Sequence, residues 1–150
     1  EAKAMSLIAL FEMARRRQLE AVPGPQAMRN SQDMGNFFIT MLQDYRHEVF
    51  GIAYLNRANR INHFELISQG GLSATVVDTR IVLRKALQYD TACLVICHNH
   101  PSGNLTPSTA DDEVTYKLKN AAQLFDIKLL DHFIVGQGGY FSYAENDRLH

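Results

Sequence analysis

His98-Asn99-His100 and, eleven residues after the second histidine, Asp111 are the residues whose types and spacing point to chemistry. In extended backbone, residues i and i+2 project to the same side. Both imidazoles can therefore face one point at the end of the uncharged run Ala92-Cys93-Leu94-Val95-Ile96-Cys97. Asp111 falls in the first turn of a helix opened by Pro107-Ser108-Thr109-Ala110. Two imidazoles and a carboxylate are the three protein ligands of a typical catalytic zinc site, which keeps its fourth position for water. A plainer reading stays open beside it: polar loop residues next to a helix cap. Ser108-x-x-Asp111 also has the form of a capping box, with an acid favoured in the first turn. A hydrolytic site needs a base as well. Glu48 is the candidate, in the polar lead-in Asp44-Tyr45-Arg46-His47-Glu48, though nothing local says that it meets the histidines.

The elements around these residues follow from periodicity. Met5, Ile8, Leu10-Phe11 and Met13 read as a first helix ending in Arg15-Arg16-Arg17, and Pro23-Gly24-Pro25 breaks the chain after it. Ser31 is the expected N-cap of a second helix carrying Met34, Phe37, Phe38, Met41 and Leu42. Val49 to Leu55 reads as a strand, Asn56 to Asn62 as a turn, and His63 to Ser68 as a second strand. Gln69-Gly70-Gly71 reads as a loop, Val76-Val77 as a short extended piece, and Ile81, Val82, Ala86 and Leu87 as a helix. The run from Ala92 to Cys97 fits a strand buried on both faces. After the His98 to Asn104 loop comes a helix with Val114, Leu118, Ala121, Ala122 and Phe125 on its core side. Ile127 to Val135 and Tyr140 to Tyr143 read as strands joined by a turn at Gly136 to Gly139. Strands interleaved with helices predict a three-layer α/β domain.

Several polar and reactive residues have ordinary readings. Cys97 precedes His98 in extended backbone and faces the other way, so it reads as a buried, inert thiol. The zinc deaminase pattern H-x-E with a downstream P-C-x-x-C does not occur. Asp131-His132 is either a polar pair within a strand or includes a partner for a metal ligand. Asn99 and Ser102 are expected to shape the loop, and Phe141 and Tyr143 to belong to the core. His63 and Glu65 are given no function.

Composition sets the frame. The chain has 150 residues, long enough for one domain with its own core. Fifteen basic against sixteen acidic side chains give a net charge of -1, which does not support a broad electrostatic footprint on DNA. No apolar run approaches the length that crosses a bilayer, so no membrane role is expected. Two cysteines, Cys93 and Cys97, make no disulfide framework and suit a reducing, cytoplasmic setting. The start Glu1-Ala2-Lys3 is not a natural initiator, so the chain is expected to be cut from something longer. Residues 1-27 are read as an N-terminal helix and linker, the end of a truncated upstream region. Its apolar face is expected to cover its own domain or a second copy, so a homodimer is one expectation.

Glu48, His98-x-His100-Pro101 and Ser108-x-x-Asp111 together resemble the JAMM (MPN+) metalloprotease signature at every defining position. The stretch His98-Asn99-His100-Pro101-Ser102-Gly103-Asn104-Leu105-Thr106-Pro107-Ser108 is similar to one branch, the bacterial RadC-like (UPF0758-type) JAB proteins. Further matches are Leu55-Asn56, Gln69-Gly70-Gly71-Leu72 and Leu130-Asp131-His132-Phe133-Ile134-Val135-Gly136. The resemblance covers residues 28-150. It departs at Asp78-Thr79-Arg80-Ile81, where members of the branch usually carry His-Pro-Arg-Glu. The helix–hairpin–helix region often found upstream in such proteins is also missing from this sequence.

The resemblance implies an α/β/α sandwich of the cytidine-deaminase-like JAB/MPN type, with a mixed central sheet and flanking helices. It implies one Zn²⁺ per chain held by His98, His100 and Asp111. Glu48 would take a proton from a zinc-bound water and deliver one to the leaving amine, and Ser108 would hydrogen-bond the oxyanion. The implied activity is hydrolysis of a peptide or isopeptide bond in an unidentified peptide or protein substrate. A second function belongs to another class: a metal-bearing accessory or scaffold domain without turnover in DNA repair or recombination, associated with DNA or repair proteins.

Overall fold

The computed structural model describes residues 28–69 and 77–149. The expected first helix, the arginine triplet, the Pro23-Gly24-Pro25 break, the Gly70-Gly71 loop and Val76 lie outside the described residues. Eight elements follow in chain order: α1 (Ser31–Leu42), β1 (Val49–Leu55), β2 (Ile61–Gln69), α2 (Thr79–Gln88), β3 (Cys93–Asn99), α3 (Thr109–Gln123), β4 (Lys128–Gly136) and β5 (Gly139–Ser142).

The strands form one sheet in the order β2-β1-β3-β4-β5. β3 and β4 are parallel, while β1 pairs antiparallel with both β2 and β3, and β5 with β4. Parallel neighbours need a crossover, and α3 supplies it between β3 and β4. The period of two along each strand then divides the core. Val49, Ala53, Val95, Cys97, Phe133 and Val135 pack under α1 with Met34, Phe38 and Leu42. Phe50, Ile52, Tyr54, Leu94 and Ile96 pack against Val82 and Ala86 of α2 and Leu118 and Ala122 of α3. The outcome is the α/β domain with a mixed sheet between helical layers that the sequence predicts.

Two local expectations are corrected. Asn30, not Ser31, caps α1, because its extended backbone lets the side chain accept from the Asp33 N–H at 2.8 Å. The helix-side core position given to Phe125 is not used. α3 stops at Gln123, Asp126 turns the chain at a positive φ of 55°, and Phe125 is left 48% exposed. Thr115 is buried on the inner face of α3 instead. Val77 is buried.

Phe38 is the central side chain under α1. It is fully buried and its ring meets Phe37, Phe64 and Phe133 at 5.3–5.9 Å between centroids. Phe38→Ala is expected to cost about 3–5 kcal/mol, read as a lower urea midpoint with an unchanged slope.

Candidate metal centre

Topology explains how residues far apart in sequence meet. The histidines stand at the carboxyl end of β3, where ligands collect in sheets with parallel strands. β1 runs antiparallel beside β3, with Phe50 opposite His98 and Gly51 opposite Cys97. The pairing ends at Phe50 and His98, so Glu48, just before β1, lies outside it. Glu48 is exposed to solvent and is not among the three residues that cluster. β4 lies on the other flank of β3, so His132 and Ile134 pair with Ile96 and His98. The turn after β3 is tight: the Gly103 N–H donates to the His100 carbonyl at 2.9 Å, with Gly103 at φ +80°. Gly136 backs this turn so closely that a Cβ there would come 2.9 Å from the Gly103 carbonyl oxygen.

His98, His100 and Asp111 each turn one ligand atom into a single cluster, all within 4.8 Å of one another. The His98 Nε2 and His100 Nε2 atoms are 2.9 Å apart, and His98 Nε2 is 3.1 Å from Asp111 Oδ1. Ligands at 2.0–2.1 Å from a tetrahedral ion stand about 3.3 Å from each other, so these spacings match a divalent cation at the centre.

The hydrogen bonds behind the cluster fix which atoms carry protons. The Thr115 hydroxyl lies 2.5 Å from the Asp111 carbonyl oxygen, which only accepts, so the hydroxyl donates there. His132 Nδ1 lies 2.6 Å from the same hydroxyl oxygen and must therefore donate to it. His132 is fully buried, and burial, with the nearby His98 and His100, holds its pKa well below the usual histidine value. It is neutral, so its Nε2 bears a lone pair, which accepts from His98 Nδ1 at 2.8 Å. His100 Nδ1 donates to the Asn104 carbonyl at 2.5 Å. With both Nδ1 atoms donating, each ring turns its Nε2 toward the other and toward Asp111. Two imidazole nitrogens and a carboxylate converging on one point are a donor set that fits a metal ion.

Asp111 serves the helix and the cluster at once. Its Oδ2 accepts from the Ser108 N–H and the Ser108 hydroxyl, both at 2.7 Å, and Ser108 Oγ accepts from the Asp111 N–H at 3.3 Å. This is the capping box expected from Ser108-x-x-Asp111. Oδ1 is left to face His98. Burial raises the Asp111 carboxyl, but the bonds and charge from His98 and the two bonds from Ser108 outweigh it and hold the group below the ordinary carboxylate range. The two readings share one side chain: Oδ1 stands nearest His98, and Oδ2, which takes the Ser108 bonds, lies 3.7 Å from His100 Nε2.

The walls are aromatic. Phe50 stacks on His98 at 6.1 Å, and Tyr143 stacks on His132 at 4.7 Å. Beside His100, a cleft of about 370 Å³ runs between the end of α1 and the β4–β5 hairpin, past Tyr45, Arg46, Pro101 and Gln137. A larger cavity, near Ala92 and Ile127, lies at the opposite end of the sheet from the histidines.

The RadC-like JAB domain matches residues 28–148. The chain belongs to the RadC-like JAB domain family. A UPF0758 protein of Pseudomonas fluorescens (strain Pf-5) is 42% identical over 144 residues, covering 96% of this chain and 64% of that protein. A UPF0758 protein of Flavobacterium johnsoniae is 36% identical over 145 residues, covering 97% of this chain and 63% of that one. Another, from Azotobacter vinelandii, is 40% identical over 144 residues. The chain thus spans just under two thirds of the length of these relatives.

In this RadC-like JAB domain, the pair Asp131-His132 divides its roles. Asp131 accepts from the Ser142 hydroxyl, the Ala144 N–H and the His132 N–H, tying β4 to the segment after β5. His132 holds the His98 ring. Cys97 is fully buried, donates to the Gly51 carbonyl at 3.6 Å, and burial pushes its thiol up, as expected of an inert cysteine. Sequence reading missed Thr115. The signal was its spacing four residues after Asp111, which places both on one helix face. Thr115→Val keeps the side-chain shape and removes the oxygen that sets the His132 and His98 tautomers. It is expected to weaken metal binding by about 10–100-fold, read by competition with a chromophoric chelator.

Proposed function

We propose that this domain is a zinc-dependent hydrolase of the JAMM type, acting on a peptide or isopeptide bond. The observation that carries the reading is the convergence of two imidazole Nε2 atoms and an ionised aspartate on one point. A nitrogen- and oxygen-donor set of three on a rigid strand end and a helix start suits zinc with one open position.

His98, His100 and Asp111 would hold the ion through Nε2, Nε2 and Oδ1. Bound there, the ion would supply Lewis acidity and acidify a water at its open position. Glu48 is exposed to solvent just before β1. Its carboxylate accepts the proton that the attacking water loses and returns one to the departing nitrogen. Ser108 sits at the same helix start. Its hydroxyl donates to Asp111 Oδ2 here, and turning it toward a substrate carbonyl would let it stabilise the developing oxyanion. Such a turn leaves the Ser108 N–H bond to Oδ2 in place, so the carboxylate stays oriented. The cleft past Arg46 and Gln137 reaches His100, and a substrate chain would lie there.

Glu48→Gln is expected to retain one zinc per chain, counted by elemental analysis, while metal-dependent amide hydrolysis of a peptide library falls by at least about 100-fold. Loss of zinc in that variant would make Glu48 a ligand instead. Turnover unchanged by either Glu48→Gln or chelation would refute the hydrolase. Ser108→Ala is expected to lower both turnover and stability, the latter by about 1 kcal/mol from the lost cap.

A further inference from the structure

Asn99 lies between the two candidate ligands, yet it faces away from them. Alternation turns its side chain to the α1 side of the sheet, with Val95 and Cys97. It is only 5% exposed, and every polar atom of its amide is engaged. Asn99 Nδ2 donates to the carbonyl oxygens of Tyr45 at 3.2 Å and His47 at 3.0 Å. Asn99 Oδ1 accepts from the Val49 N–H at 2.7 Å. These partners also fix the orientation of the amide, since two carbonyls demand its NH₂ and one N–H demands its oxygen.

The two contacts nearest Glu48 are informative. The His47 carbonyl belongs to the peptide plane between residues 47 and 48, and the Val49 N–H to the plane between 48 and 49. One amide therefore grips both planes that meet at the Glu48 Cα. We propose that Asn99 is a positioning residue for Glu48: it locks the backbone on each side of the base to the strand that carries the ligands. The inference rests on reading Glu48 as the base. Ligands and base then move as one body, because His98, Asn99 and His100 are consecutive. Few side chains can replace it. Aspartate lacks the two donors, and leucine lacks all three bonds. The role differs from general loop support because its whole effect on chemistry passes through Glu48.

The test uses the 150-residue chain loaded with cobalt(II), whose visible spectrum changes with pH as groups beside the ion ionise. Glu48→Gln is expected to move the pH inflection of that spectrum. If it does not, Glu48 is not beside the ion, and the base assignment falls first, taking this inference with it. Given that shift, Asn99→Ala is expected to move the inflection in the same direction, and the double variant to match Glu48→Gln alone. An Asn99→Ala inflection at the wild-type position overturns the proposal, as does a double variant shifted by the sum of the single ones. Should Asn99→Ala fail to hold cobalt, amide hydrogen exchange of the metal-free chain decides. Exchange at the Val49 N–H about tenfold faster, with the Ile52 N–H unchanged, supports the clamp. Unchanged exchange at Val49, or an equal rise at both amides, overturns it.

Discussion

Two imidazole nitrogens stand 2.9 Å apart beside a buried carboxylate, and the hydrogen bonds behind them hold that convergence in place. Each ring has its other nitrogen engaged, one on His132 and one on the Asn104 carbonyl, so neither can turn away without breaking a bond. The chain that enforces this begins at a backbone carbonyl. The Asp111 carbonyl directs the Thr115 hydroxyl, the hydroxyl directs His132, and His132 directs His98. Helix α3 therefore contributes a carboxylate oxygen from its first turn and also dictates the tautomer of a histidine on a neighbouring strand.

How much of this could be read from residue order differs by range. His98 and His100 were legible because two ligands on one extended strand need only a period of two. Asp111 was legible as a first-turn acid, and the Ser108 cap came with it. Glu48 was not legible from its surroundings, since any approach to the histidines depends on how strands fifty residues apart lie beside each other. Only the resemblance to a known signature named it. His132 stood out as a polar residue inside the apolar run from Leu129 to Val135, but only parallel pairing with β3 reveals what it touches. The layers of the fold were legible from alternating strand and helix patterns. Errors sat at helix ends. Neither the shift of the α1 cap from Ser31 to Asn30 nor the exposure of Phe125 has a strong periodic signal.

The end of β3 uses both of its faces. Even-numbered positions carry the ring that reaches the cluster and stack it against Phe50, while the odd-numbered Asn99 reaches across to the lead-in of β1. A slip of one residue would exchange these faces. The site is thus tied to the same alternation that sorts the apolar core into its two layers. Gly136 adds a second constraint, because its missing side chain lets the turn after His100 lie against β4.

Asp111 is anchored in its helix as well as aimed at the cluster, and this separates the fate of the ion from the fate of the fold. In small zinc modules the polypeptide collapses into shape only around its metal, so demetallation is denaturation. Here the bonds from Ser108 to Oδ2 and the apolar layers on both sides of the sheet draw on no cation. A scaffold so built would stand with or without an ion at the strand end.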